Sequence, residues 1–273
     1  MMRAVFTIMG ILVLFSVFIS ACVSEPGSSE PAPTLTPTLT TSPVSTFPTL
    51  PVTTPQNISV NWAGYVVQTS FDSPENGAID AVEAVWDVPA VDCSGTQGRE
   101  FSSAFWVGID GFSSVSVEQI GTDSDCVQGN PVYYAWYEVY PRDSVTLDLT
   151  LRPGDRVHAK VSYRGSQQFI FSLTDITTNQ SVSITETSTI AERSSAEWIA
   201  EAPVYRHRIL PLSDFGPVEF LNASVTVKGT IGPIMHDEWD YRSIVMEAAD
   251  GTIKATPTGL ITGNSFSIIW EHQ

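Results

Sequence analysis

Four short stretches hold the residues best equipped for chemistry. Tyr133 to Pro141 reads Tyr-Tyr-Ala-Trp-Tyr-Glu-Val-Tyr-Pro. A strand alternates faces with period two, so Tyr134, Trp136, Glu138 and Tyr140 share one face and Tyr133, Ala135, Tyr137 and Val139 the other. A carboxylate among large aromatics is costly to bury unless it is hydrogen-bonded. Such a strip serves as a wall for sugars or extended peptides, or as a solvent-facing Glu beside ordinary core aromatics. The second stretch, Ala196 to Pro203, carries Glu197 and Glu201. The two share a face on a strand and lie one turn apart on a helix, so spacing leaves the conformation open. The third and fourth are Trp106-Val107-Gly108-Ile109-Asp110-Gly111 and Glu118-Gln119-Ile120-Gly121. On a strand Gln119 joins Val117 and Gly121, with Glu118 on the opposite face.

Two chemistries fit these groups. Two carboxylates in a cleft, such as Glu138 and Glu201, can cleave glycosides. A carboxylate with an amide can hydrolyse a peptide: the Glu activates water and the amide steadies the oxyanion. Other mechanisms lack their parts. The four histidines form no His-x3-His pair, and no Cys-x-x-Cys, Gly-x-Ser-x-Gly or Gly-rich phosphate loop occurs. No metal and no cofactor is expected.

The elements that must position these groups are strands. From residue 57 onward Val, Ile, Thr and aromatics come in short runs broken by Gly, Pro, Asn and Asp. Thirteen such runs are expected as strands: 64–69, 82–88, 103–109, 115–120, 132–140, 145–149, 156–163, 168–175, 180–185, 197–201, 218–228, 243–248 and 265–270. No long stretch keeps a 3.6-residue period, so the domain over 57–273 reads as an all-β sandwich or barrel.

Two segments precede it. Residues 1–22 have Arg3, an apolar run and the exit Ile19-Ser20-Ala21-Cys22. This is an export signal, and its exit resembles the lipobox of exported lipoproteins, which implies cleavage before Cys22 and lipidation of Cys22. An uncleaved anchor is the alternative. Either way the remainder lies outside the cytoplasm, held at a membrane or secreted. Residues 23–56 are rich in Pro, Thr and Ser. They have too little apolar surface to offset chain entropy and serve as a disordered, semi-rigid spacer. Outside the cytoplasm Cys93 and Cys126 are expected to pair, joining the loop before Trp106 to the loop after Gln119; two free buried thiols are the alternative. The chain holds 30 Asp and Glu against 13 Lys and Arg, a net charge of −17. That excludes a nucleic-acid partner, which needs clustered cations.

Taken in order, the chemical stretches resemble the glutamic peptidases (eqolisins). The matches are Asn61-Trp62-Ala63-Gly64-Tyr65, Trp106 to Gly111, Gln119-Ile120-Gly121, Ala135 to Pro141, Ala196 to Glu201 and Asp214-Phe215-Gly216-Pro217-Val218-Glu219-Phe220. The resemblance implies a concanavalin A-like sandwich of two antiparallel sheets and an acid-acting endopeptidase without a metal. It implies that Gln119 and Glu201 are catalytic, and that Trp106, Asp110, Glu138 and Tyr140 line or support the cleft. The strand period separately places Trp136 with Glu138 and Tyr140. Tyr134 departs from the fungal members, which carry an Asp there. Protein or peptide substrates are implied, and a monomer is expected. Two other readings are a non-catalytic module that binds glycan or peptide through Trp106, Trp136 and Tyr140, and the glycosidase already named.

Overall fold

The computed structural model describes residues 56–273. Cys22, the export signal and all of the spacer but Gln56 lie outside the described residues. Gln56 itself opens the first strand. In chain order the strands are β1 (Gln56–Ser59), β2 (Trp62–Gln68), β3 (Ile79–Asp87), β4 (Ala104–Ile109), β5 (Val117–Val127) and β6 (Asn130–Tyr140). They continue with β7 (Val145–Thr146), β8 (Arg156–Gly165), β9 (Gln168–Asp175), β10 (Gln180–Thr187), β11 (Ser195–Glu201) and β12 (Val204–Tyr205). The last are β13 (Arg208–Ile209), β14 (Pro217–Val227), β15 (Thr230–Pro233), β16 (Asp240–Glu247), β17 (Ile253–Pro257) and β18 (Phe266–Trp270). No α-helix occurs among the described residues.

The strands form two layers. The front sheet runs β7-β6-β5-β4-β11-β2-β16-β17-β18, and the back sheet runs β10-β9-β8-β3-β14 with β15. All of these pairs are antiparallel; β1 adds a parallel partner to β16. Strand β14 belongs to both layers. Its start, Pro217 to Phe220, pairs with β18, and from Leu221 it pairs with β3, with a register shift between Leu221 and Ser224. Such a bulge bends a strand and lets it pass from one sheet to the next. Strand β4 packs on β3 and β8, and β5 on β8 and β9, so the layers face each other.

Alternation fills the space between them. Phe105, Val107 and Ile109 of β4, Trp198 of β11, Trp86 of β3 and Phe169 and Phe171 of β9 all point inward and are fully buried. Each such aromatic contributes roughly 1.5–3 kcal/mol relative to exposure. The front sheet is apolar on its outer face too, where Val66, Ala104, Trp106, Val117, Trp136, Ile199 and Ile244 cluster. That second face is the floor of a cleft.

Three expectations are corrected. The run expected as a six-residue strand from Val115 is the eleven-residue β5, which continues through Thr122-Asp123-Ser124-Asp125. Polar residues there sit buried against neighbouring strands, and they hid the strand from a hydrophobic reading. Five short strands, β1, β12, β13, β15 and β17, have two to five residues and too few alternations to show a period. Cys93 and Cys126 are joined, with Cα atoms 5.5 Å apart. Cys126 lies within β5, so the bridge ties the loop before β4 to a strand rather than to another loop. It closes a 33-residue separation. Removing both sulfurs, Cys93→Ser with Cys126→Ser, is expected to cost about 3–4 kcal/mol of stability through chain entropy. A urea melt of the double variant checks this; an unchanged midpoint would show that the closed loop is already ordered in the unfolded chain.

Candidate active site

The cleft on the front sheet has a volume of about 610 Å³. Its walls carry Gln119 and Asp123 from β5, Tyr134, Trp136, Glu138 and Tyr140 from β6, and Glu201 from the end of β11. Period two explains the β6 set: Ala135 and Val139 enter the core while the even-numbered residues face the cleft.

Glu201 is held from two sides. Asn61 Nδ2 donates to its Oε1 at 3.0 Å, and Trp106 Nε1 donates to its Oε2 at 2.9 Å. Asn61 immediately precedes β2, and Trp62 lies opposite Glu201 in the β2–β11 register. Trp62 meets Trp106 edge to face with ring centroids 5.0 Å apart. Burial pushes the Glu201 carboxyl up to about 7, against the lowering effect of the Trp106 bond.

Gln119 pairs with Glu138 across the β5–β6 ladder. Its Nε2 donates to Glu138 Oε2 at 2.5 Å, and its Oε1 is buried without a partner. Burial raises the Glu138 carboxyl, the Gln119 bond opposes this, and the Asp143 charge adds to it. Strand β4 lies between β5 and β11. On it Trp106 pairs with Gly121 on one side and Ile199 on the other, so the indole stands midway between the levels of Gln119 and Glu201. Glycines make the room. A Cβ on Gly108 would lie 2.9 Å from Trp106 Cζ3 and 3.2 Å from Gln119 Cβ. A Cβ on Gly121 would lie 2.3 Å from the Phe105 carbonyl oxygen.

On the same face of β5 as Gln119 sits a pair of carboxyl groups, Asp123 and Asp125. Asp123 accepts from Trp136 Nε1 at 2.6 Å and from the Tyr134 hydroxyl at 2.7 Å. Asp125 Oδ2 is 3.1 Å from the same hydroxyl, and its Oδ1 accepts from the Ser102 hydroxyl at 2.6 Å. A phenol has one proton to donate, so it serves one carboxylate at a time and the other contact is favourable when that carboxyl is protonated. Burial, and for Asp123 also the Asp125 charge, pushes both carboxyls up, Asp125 to about 6. Tyr134 thus fills with a hydroxyl the place where the family resemblance expects an Asp.

The structure brings Gln119, Glu201, Trp106, Trp136, Glu138 and Tyr140 together and leaves Asp110 out of the cleft. Asp110 ends β4 in a left-handed conformation, φ 71°. Its buried carboxylate accepts from the backbone N–H groups of Glu192, Arg193 and Ser194 at 2.7–2.9 Å. It anchors the chain entering β11, the strand that ends at Glu201. Glu197 shares the parity of Glu201 but is wholly buried beside Ser195 and the Phe112 backbone, outside the cleft lining. Three contributors carried no assignment from the sequence. Asn61 was legible only as part of a motif, Trp62 likewise, and Asp123 followed from continuing the period from Gln119 through Gly121.

Comparison with known proteins agrees with this fold. Residues 60–258 match the model of the Peptidase A4 family. Aspergillopepsin-2 of Aspergillus niger is 30% identical over 203 residues, covering 66% of this chain and 70% of that protein. Scytalidopepsin B of Scytalidium lignicola is 30% identical over 184 residues, covering 63% and 65%. The crystal structure of scytalido-glutamic peptidase with a transition state analog inhibitor superposes with a TM-score of 0.64 at 26% identity, covering 78% of this chain and 99% of that one. Aspergilloglutamic peptidase from Aspergillus niger gives a TM-score of 0.55 at 27% identity, covering 63% and 99%. A two-layer β-sandwich with a carboxyl-lined cleft, matched along most of its length by this family model, belongs to the Peptidase A4 family, the glutamic endopeptidases or eqolisins.

Proposed function

We propose that this chain hydrolyses peptide bonds in the front cleft with Glu201 as general base and acid and Gln119 as oxyanion donor. The observation that carries the reading is the fixing of the Glu201 carboxyl by Asn61 and Trp106 in the cleft that also holds Gln119. Each Glu201 oxygen keeps a free lone pair after these bonds, and an ionised oxygen takes a proton from water as the water attacks the scissile carbonyl. The Gln119 amide has two N–H bonds. One goes to Glu138, which orients the group and leaves the second for the developing oxyanion. Protonated Glu201 then passes its proton to the departing amine. Glu138 acts through Gln119 and is a positioning residue. Trp136 and Tyr140 supply a flat wall for an extended backbone.

The same reading gives a pH range. Catalysis needs ionised Glu201, whose carboxyl stands at about 7 rather than at the ordinary 4.5. Activity therefore rises with pH through that value, and action on the acid side lies close to neutrality. The N-terminal export signal and Pro/Thr spacer support work outside the cytoplasm, with Cys22 as the lipid-bearing tether to a membrane and residues 57–273 as the working domain.

The test is digestion of a denatured protein by the purified chain, with products identified by mass and kcat/KM followed against pH. Internal cleavage, indifferent to chelator, with an acid limb well above pH 4.5 is expected. Absence of cleavage at every pH would sink the reading, and a limb near 4 would mean that the Glu201 carboxyl reaches water.

A further inference from the structure

A short hairpin follows Glu201 after Ala202 and Pro203. Val204 pairs with Ile209 and Tyr205 with Arg208, which leaves Arg206 and His207 as a two-residue turn. Their φ angles are 49° and 64°. Two successive left-handed residues are the turn type that favours Asn-Gly, and Arg-His is a poor choice for it on local grounds. Folding does not ask for these side chains. Both are exposed, and both line the cleft that holds Glu201 and Gln119.

The charge of the turn is as unusual as its conformation. The chain has 13 Lys and Arg against 30 Asp and Glu. Several cations are spent on partners: Arg156 on Asp87, Lys160 on Glu83, Arg193 on Asp80 and Lys228 on Glu75. Arg142, the other arginine of the cleft wall, donates to Glu186 at 3.1 Å and to the Thr187 carbonyl at 3.2 Å. Arg206 has no carboxylate within ion-pair distance among the described residues, and its guanidinium stands 5.0 Å from the ring centroid of Tyr205. The remaining charged groups of the lining are the acids Asp123, Glu138, Asp143 and Glu201.

We propose that Arg206, with His207 beside it, forms a subsite for an acidic side chain of the peptide substrate, next to the general base. This deepens the peptidase reading of the cleft and rests on it. A guanidinium presents a fork of donors that matches a carboxylate. Elsewhere in the cleft a substrate carboxylate meets carboxyl groups or an arginine already engaged by Glu186, so one position along the peptide is favoured over the others.

The experiment uses a neutral peptide that the wild-type chain cleaves, with a single Glu, Gln or Lys placed in turn at each position. At near-neutral pH and low salt, Glu at one position is expected to raise kcat/KM over Gln by about three- to tenfold, mainly through KM, and the gain should shrink as salt is added. Arg206→Glu should reverse the order at that same position, so that Lys is preferred. Arg206→Gln should bring the Glu/Gln ratio to about one. Uniform cleavage of the whole series by the wild type, or an unchanged preference in Arg206→Glu, overturns the subsite while leaving the dyad standing. If the wild type cuts no peptide at all, the peptidase reading falls first and the subsite with it.

Discussion

Glu201→Gln is expected to lower kcat/KM by about 10³-fold or more while the chain stays folded, because general-base assistance alone is worth about 10²–10⁴ and the amide cannot accept the proton of water. The substitution is also imperfect in its bonds. Asn61 and Trp106 both donate to this side chain, and a Gln has one acceptor oxygen, so one donor must face an N–H group. Glu201→Asp keeps both acceptors and the charge but draws them back by one methylene, so it should retain more activity than the Gln variant. Gln119→Ala removes the oxyanion donor and should cost about 10²–10³ in kcat. Both residues act on one transition state, so the double variant should fall well short of the product of the single losses. Steady-state rates on a denatured protein, with circular dichroism as the folding control, decide the matter. An E201Q chain within tenfold of wild type would remove Glu201 from the base role.

The second large effect is on stability. Glu118 and Glu197 are completely buried, Glu118 beside the hydroxyls of Ser116 and Ser188, Glu197 beside Ser195 and the Phe112 backbone. Burial pushes Glu118 up to about 8 and Glu197 well above its usual range. Asp123 and Asp125 are raised by burial as well, Asp125 to about 6. A carboxyl raised in the folded state holds its proton where the unfolded chain has already lost it. Its stabilising contribution is complete below the unfolded value near 4.5 and fades as pH climbs through the folded value. Each such group lowers the unfolding free energy by about 1.4 kcal/mol per pH unit across its window. The windows here end near pH 6 for Asp125, 7 for Glu201 and 8 for Glu118. Glu83 works in the opposite sense. Its bonds to His158 and Lys160 hold it at about 2, so its contribution is lost only as pH falls from 4.5 toward that value. Thermal melts should therefore show the highest Tm near pH 4–5 and a fall of several kcal/mol in stability by pH 8. Glu118→Gln should raise Tm at pH 8 by more than at pH 4.5, since the amide never ionises. A flat profile from pH 4.5 to 8 in the wild type would mean that these carboxyls reach water.

The two effects pull against each other along the pH axis. Ionising Glu201 switches the base on, while ionising its buried neighbours loosens the sandwich. For these groups the acidic composition is a buried property with a preferred pH.

Much of the site was readable locally. Period two in Tyr133–Pro141 separates the cleft residues Trp136, Glu138 and Tyr140 from the core residues Ala135 and Val139, because a strand obliges neighbours to face opposite ways whatever lies beyond it. The same rule separates Glu118 from Gln119. It could not choose between Glu197 and Glu201, which share a face. That choice was made by distant chain: Asn61 and Trp106 reach Glu201 in the cleft, whereas Glu197 is wholly buried beside Ser195. Nor could it tell that Asp110 would turn away to hold the chain before β11, that polar β5 would run on through Asp125, or that β14 would cross between layers. Alternation is a property of one strand and is written in adjacent residues. Pairing, desolvation and the supply of donors belong to strands brought together from across the chain, and only their packing decides which carboxyl is pinned in the cleft and which is merely buried.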